Sequence, residues 1–343
     1  MISDFRIDVL RDRVKIGEVL TDKARVDYDS SSSVMRSMSV EMYGTTVAES
    51  GFTFNKFKDR LRPVLISDGV ESSLGVFMIV SAPRRVSETE NTMSIEAYDE
   101  TMIVKQAAFE NRTHYAAGTQ YLTIIQNILV GLGFSDILMD SSSAALAADI
   151  EYAPGDNYLE AINDMLDAMN YRHLYQDSNG IIQIRKIADP DSPQFVYRDK
   201  VNFSIIENIR EESDIYDLPN VVIGVYSSPD SNTPTVYKKV NSDPNSAIST
   251  VNRGYKVVKM VNLYNSASQT DLKNYVDRIA FDAMQATESV TFETIAEGGH
   301  EMDSVIQIDV DGLAGLYVEK GWTIDASSGS YVMTHRAERK VFV

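Results

Sequence analysis

The four histidines, His114, His173, His300 and His335, are the residues best suited to acid–base or metal chemistry, yet no two stand one helical turn apart, the spacing that gives a helix two ligands for one zinc ion. The chain has no cysteine, which excludes disulfides, thiolate metal sites and thiol nucleophiles. His300-Glu301-Met302-Asp303 gathers possible ligands, but Glu297-Gly298-Gly299 precedes it and the run reads as a solvated loop. Asp309-Val310-Asp311-Gly312 resembles a fragment of a calcium loop without its third acidic ligand or its later bidentate Glu, so it reads as a strand end followed by a turn. Gly131-Leu132-Gly133 follows a helical pattern, the wrong context for a phosphate cradle, and no Gly-rich loop ends in Lys-Ser or Lys-Thr. The serine clusters 30–33, 141–143 and 327–330 lack the flanking glycines of a nucleophile elbow and read as turn chemistry. No catalytic, cofactor-binding or metal-binding residue is therefore assigned, and the expected role is not enzymatic.

Composition points the same way. The chain of 343 residues carries 32 basic against 50 acidic residues, a formal charge of −18, which argues against a broad basic surface for nucleic acid or anionic lipid. Met1 to Leu20 alternates charged with apolar residues and does not read as a signal peptide, and no segment is apolar over the ~18 residues a membrane span needs. A soluble protein assembled in a cytoplasm is the expectation.

The elements that would position any such residues are mostly strands. Phe5, Ile7 and Val9 alternate with charged neighbours, as do Ala24, Val26 and Tyr28, then Met38, Val40 and Met42 alternate with Ser37, Ser39 and Glu41, and period two marks half-buried strands. Strand patterns follow at 64–66, 74–80 and 93–97. From about Phe109 the period changes: Leu122, Ile125, Ile128 and Leu129 predict a helix ending at Gly131 or Gly133. Leu159, Ile162, Leu166 and Met169 predict a second, acidic amphipathic helix over 157–171. Asp177-Ser178-Asn179-Gly180 predicts a hairpin turn, and Asp189-Pro190-Asp191-Ser192-Pro193 a connector. Strand patterns resume at 221–226, polar loops span 227–235 and 241–250, a helix is expected over 270–285, and strands are expected over 290–295, 304–310, 315–318, 322–324 and 331–336. The expected fold is α+β and mostly β, with two tube-like β-barrel domains, 1–105 and 201–343, flanking an acidic mixed insert at 106–200, and one amphipathic helix in the second barrel.

Four stretches carry a family resemblance: Ala24-Arg25-Val26-Asp27-Tyr28 through Met38-Ser39-Val40; Leu74-Gly75-Val76-Phe77-Met78-Ile79 leading to Met93-Ser94-Ile95-Glu96-Ala97-Tyr98-Asp99; Tyr158-Leu159-Glu160-Ala161-Ile162 through Asn179-Gly180-Ile181-Ile182-Gln183-Ile184; and Leu218-Pro219-Asn220-Val221-Val222-Ile223. With the closing Gly329-Ser330-Tyr331-Val332-Met333-Thr334-His335-Arg336-Ala337-Glu338-Arg339, their order resembles the baseplate-hub, or tail-hub, proteins of contractile phages, prophages and related injection machines, including late-control D-type proteins. The resemblance implies a homotrimer whose two barrels per subunit form a pseudo-sixfold ring, adapting a hexameric tail tube to a trimeric spike within the virion tail. Its implied partners are the tail tube or tube initiator, the central spike and the tape measure protein. It transfers no cofactor and no catalytic residue. The competing readings are a tail-associated cell-wall hydrolase and a receptor- or carbohydrate-binding tail module.

Overall fold

Alternation along Lys23–Asp29 puts Ala24, Val26 and Tyr28 on one face, and all three are buried. Met38, Val40 and Met42 do the same in Arg36–Tyr43, and Met93, Ile95 and Ala97 in Asn91–Asp99, so the three strands share an apolar face. The computed structural model describes residues 3–19, 21, 23–43, 53–87, 91–187, 192–198, 205–214, 216–226, 234–263, 269–284, 286–310, 313–327 and 330–341. The chain divides into two compact units, Met1–Asn208 with Phe292–Arg336, and Ile209–Thr291 with Ala337–Val343.

In the first unit, strand follows strand in the order Leu313–Ser327, Lys23–Asp29, Arg36–Tyr43, Asn91–Asp99, Phe77–Ser81, Asp59–Ser67, Ser3–Arg11, Val14–Val19. The α+β, mostly β class expected from the pattern is what the structure shows, and among the described residues no sheet closes on itself into a barrel. The first and last β regions meet in this one sheet: Leu313–Ser327 runs antiparallel to Lys23–Asp29, with Trp322 opposite Tyr28 and Ile324 opposite Val26. Period two reveals which face of a strand is apolar, and it is silent on which strand lies beside which. The buried face joins Ile7, Val9, Leu61, Phe77 and Ile95 from the first hundred residues to Trp322, Ile324 and Met333 from the last thirty.

The insert follows its own core. The helices Tyr121–Gly131 and Tyr158–Ala168 bury Ile124, Ile125, Ile128 and Leu129 against Leu159, Ile162, Met165 and Leu166. The Asn157 side chain caps the second helix by accepting from the amides of Leu159 and Glu160. The hairpin joining Tyr175–Gln176 to Ile182–Ile184 turns where it is expected, with only Gly180 at positive φ (85°) while the Asp177 carboxylate accepts from the amides of Asn179 and Ile181. A helix of six residues, Thr101–Gln106, has no counterpart in the sequence reading, because one and a half turns are too few to establish a period.

The second unit packs the helix Gln269–Ala283 on a three-stranded sheet, Thr235–Val240, Val221–Tyr226 and Val258–Leu263, the last two parallel. Val222 meets Leu272, Val276 and Ala280 in its core. The connector at 188–191, most of the loop 227–235, the pair Asp311-Gly312 and the turn at 328–329 lie outside the described residues. Among the described residues no helix is long and apolar enough to cross a membrane.

Candidate functional site

Three polar residues occupy core positions in the first unit. In Leu313–Ser327 the inward face carries Tyr317, then Glu319, then Gly321, and in Ser330–Val341 it carries Met333, His335 and Ala337, so strand alternation sends one carboxylate and one imidazole inward. His300 follows Gly299, which turns the chain at φ 94°, and its ring is also buried. The three donor groups lie within 4.8 Å of one another. Glu319 Oε2 is 2.8 Å from His300 Nδ1, and Glu319 Oε1 is 2.7 Å from His335 Nδ1. The far nitrogens are also engaged, His300 Nε2 with the Tyr197 hydroxyl at 3.2 Å and His335 Nε2 with the Thr294 hydroxyl at 2.9 Å. Phe195 stacks on the His300 ring at 3.6 Å between centroids, and Phe292 on His335 at 4.6 Å.

Burial governs the electrostatics. It holds His300 down to about 4, against the pull of Glu297 and Glu301, it lowers His335, against the pull of Glu319, and it raises Glu319, against the pull of His335 and Arg36. At 0–3% exposure the three side chains are closed to any substrate, so the cluster can hold a proton or an ion but offers no room for turnover.

The solvated-loop reading of His300-Glu301-Met302-Asp303 does not hold at His300, which is 3% exposed. Its hydrogen-bond partners are Glu319 and Tyr197, with His335 on the other Glu319 oxygen, and not the neighbouring Glu301 and Asp303 that the sequence offered. A usable signal existed: Glu319 and His335 stand at apolar positions of period-two runs, and a titratable residue there has to find a partner. His114 and His173 are exposed beside Asp149 and Asp167, at 3.1 and 3.2 Å, and join no such cluster.

A second polar network docks the insert on the sheet. Arg36, buried, donates to Leu74 O at 3.0 Å and to Glu301 Oε2 at 2.5 Å, and its amide donates to Asp99, whose pKa burial raises. The other Glu301 oxygen accepts from the Ser178 amide of the insert hairpin at 2.9 Å. Glu100 pairs with Arg13 at 2.7 Å and Arg60 at 2.8 Å and accepts from Gln176 of the insert at 3.1 Å. Arg172 pairs with Asp303. The insert's surplus charge is a solvated face: Glu110, Asp136, Asp149, Glu151, Asp156, Glu160, Asp164 and Asp167 are all exposed.

No family model matches the chain, and no curated protein matches it in sequence. Solved structures do. The tail protein from Neisseria meningitidis MC58 superposes with a TM-score of 0.69 at 13% identity, covering 98% of this chain and 96% of that one. The 43 kDa tail protein of prophage MuSo2 from Shewanella oneidensis gives 0.66 at 8% identity, covering 97% and 98%. A chain of the Francisella PdpA-VgrG complex gives 0.65 at 9% identity, covering 98% of this chain and 58% of that one. Identities this low speak for fold alone, and by that measure the chain has the fold of phage and prophage tail proteins, the group to which the tail-hub resemblance of its segments points.

Proposed function

We propose that the chain is a structural subunit of a phage or phage-like tail, acting as the baseplate hub: a homotrimer that forms a pseudo-sixfold ring between tail tube and central spike. The observation that carries this reading is the end-to-end likeness to the Neisseria tail protein, which leaves almost no part of either chain unmatched. The Francisella complex, which contains VgrG, supports spike-like partners for a chain of this fold. Edges unpaired among the described residues support the assembly mode. Val14–Val19 ends the strand order of the first unit, and Thr235–Val240 and Val258–Leu263 are both outer strands of their sheet, so backbone pairing across subunits has places to form. Virion localisation and a non-enzymatic role belong to the same proposal.

Light-scattering mass measurement and negative-stain imaging, alone and with co-expressed tube and spike proteins of the same particle, test it. Threefold rings are the expected result. A chain that stays monomeric with both partners present defeats the hub reading and leaves the fold standing.

A further inference from the structure

The cluster of His300, Glu319 and His335 poses a problem of proton accounting. Thr294 has one hydroxyl proton, and the Ile295 carbonyl accepts it at 3.0 Å. The Thr294 oxygen therefore turns a lone pair toward His335 Nε2 at 2.9 Å, which makes Nε2 the protonated nitrogen of that ring. His335 Nδ1 is then left with its own lone pair, aimed at Glu319 Oε1 from 2.7 Å. Two lone pairs at that distance repel in a dry interior, so either a proton on Glu319 or a metal ion must lie between them.

A proton on Glu319 satisfies this pair, and the His300 pair then closes without further charge when the Tyr197 hydroxyl donates to Nε2 and Nδ1–H donates to Glu319 Oε2. A metal ion is the alternative that uses both pairs at once, since both Nδ1 atoms converge on the one carboxylate. Two imidazoles and a carboxylate are a donor set that suits zinc. The outer nitrogens are held as ligand histidines usually are, each hydrogen-bonded to a second group, here the hydroxyls of Tyr197 and Thr294. The surroundings are apolar and closed, with Phe195 and Phe292 stacked on the two rings, so a four-coordinate structural ion here takes both Glu319 oxygens beside the two imidazoles.

We infer that His300 Nδ1, His335 Nδ1 and the Glu319 carboxylate bind a divalent transition-metal ion of the zinc class, a structural site tying the loop before residue 301 to two strands of the sheet. Bonds of ~2.0–2.2 Å at tetrahedral angles hold neighbouring donors about 3.3–3.5 Å apart, so the rings must draw back by roughly half an ångström on binding. This site is independent of the tail role proposed above.

The full chain, purified without metal-affinity resin and assayed by elemental mass spectrometry, is expected to carry about one zinc per chain. Stripping with a strong chelator should lower the melting temperature by several degrees, and zinc but not magnesium should restore it. Cobalt in place of zinc should give the visible absorption of a low-symmetry nitrogen and oxygen site. Glu319→Gln, nearly isosteric, should lose the ion. The cobalt spectrum and zinc titration of the unsubstituted chain decide the matter if that variant does not fold. A chain that is metal-free as purified, whose melting is indifferent to zinc and which gives no cobalt spectrum overturns the inference and leaves a proton as the bridging species.

Discussion

Trp322 lies directly opposite Tyr28 in the antiparallel ladder between Leu313–Ser327 and Lys23–Asp29, with ring centroids 5.9 Å apart. Nearly three hundred residues of chain separate them. Both are buried, and the Arg36 guanidinium sits 5.2 Å from the Tyr28 ring and 5.8 Å from the Trp322 ring. This contact is the seam that makes one sheet of the two ends of the sequence.

Trp322 is the only tryptophan, so fluorescence excited at wavelengths that tyrosine does not absorb reports on the seam. Its emission is expected to be blue-shifted in the folded chain and to move red in step with loss of β-sheet circular dichroism. Truncation by Trp322→Ala should cost about 3–5 kcal/mol in denaturant unfolding. A red-shifted emission from the native chain contradicts the seam.

Tyr28→Phe should have the opposite sign. The Tyr28 hydroxyl is buried with no hydrogen-bond partner among the described residues, so removing it relieves a desolvation penalty while the ring contact stays. A gain of about 1 kcal/mol is expected in chemical denaturation, and a loss of that size indicates a partner for the hydroxyl.

Asp8 sets an acid limit on the first unit. Burial favours its neutral form, but hydrogen bonds from Lys15 at 2.7 Å, Arg62 at 2.6 Å and Arg6 at 2.9 Å outweigh that, and its pKa lies below the ordinary carboxylate value. Because the folded value is the lower, the stabilisation is complete above the unfolded value of ~3.9 and is lost as pH falls through the folded one. Asp8→Asn should cost about 2–3 kcal/mol at neutral pH and flatten the acid limb of a stability-against-pH curve. An unchanged limb places the acid sensitivity elsewhere.

Glu301 should govern how firmly the insert hairpin docks, since one oxygen meets Arg36 and the other the Ser178 amide. Glu301→Ala leaves a buried guanidinium without its carboxylate and is expected to cost about 3 kcal/mol. Hydrogen exchange at Ser178 should accelerate while the helix Tyr121–Gly131, whose core lies within the insert, stays protected.

In the second unit, Gly224 is the seat of the helix Gln269–Ala283. A methyl group there would overlap Val276 Cγ2 and come within 3.1 Å of Leu272 Cδ1. Gly224→Ala should destabilise this unit by about 1–3 kcal/mol and raise hydrogen exchange in that helix, with the first unit unaffected. Full retention of helix protection would mean that the helix can slide on its sheet.

What the sequence by itself determined was local. Period two in Ala24-Val26-Tyr28 and Met38-Val40-Met42 set the buried strand faces, the Leu159-Ile162-Leu166 stripe after Asn157 set a capped helix, and Gly180 set a turn, because each rests on contacts within a few residues of chain. Only the tertiary structure decided that Lys23–Asp29 pairs with Leu313–Ser327, since any strand with one apolar face can pair with many others and the choice is made by the packing of the whole sheet. The same holds for His300, Glu319 and His335. Two sit at alternating strand positions that look apolar in the pattern and the third in a loop, and their convergence depends on strand register, which no spacing along the chain encodes.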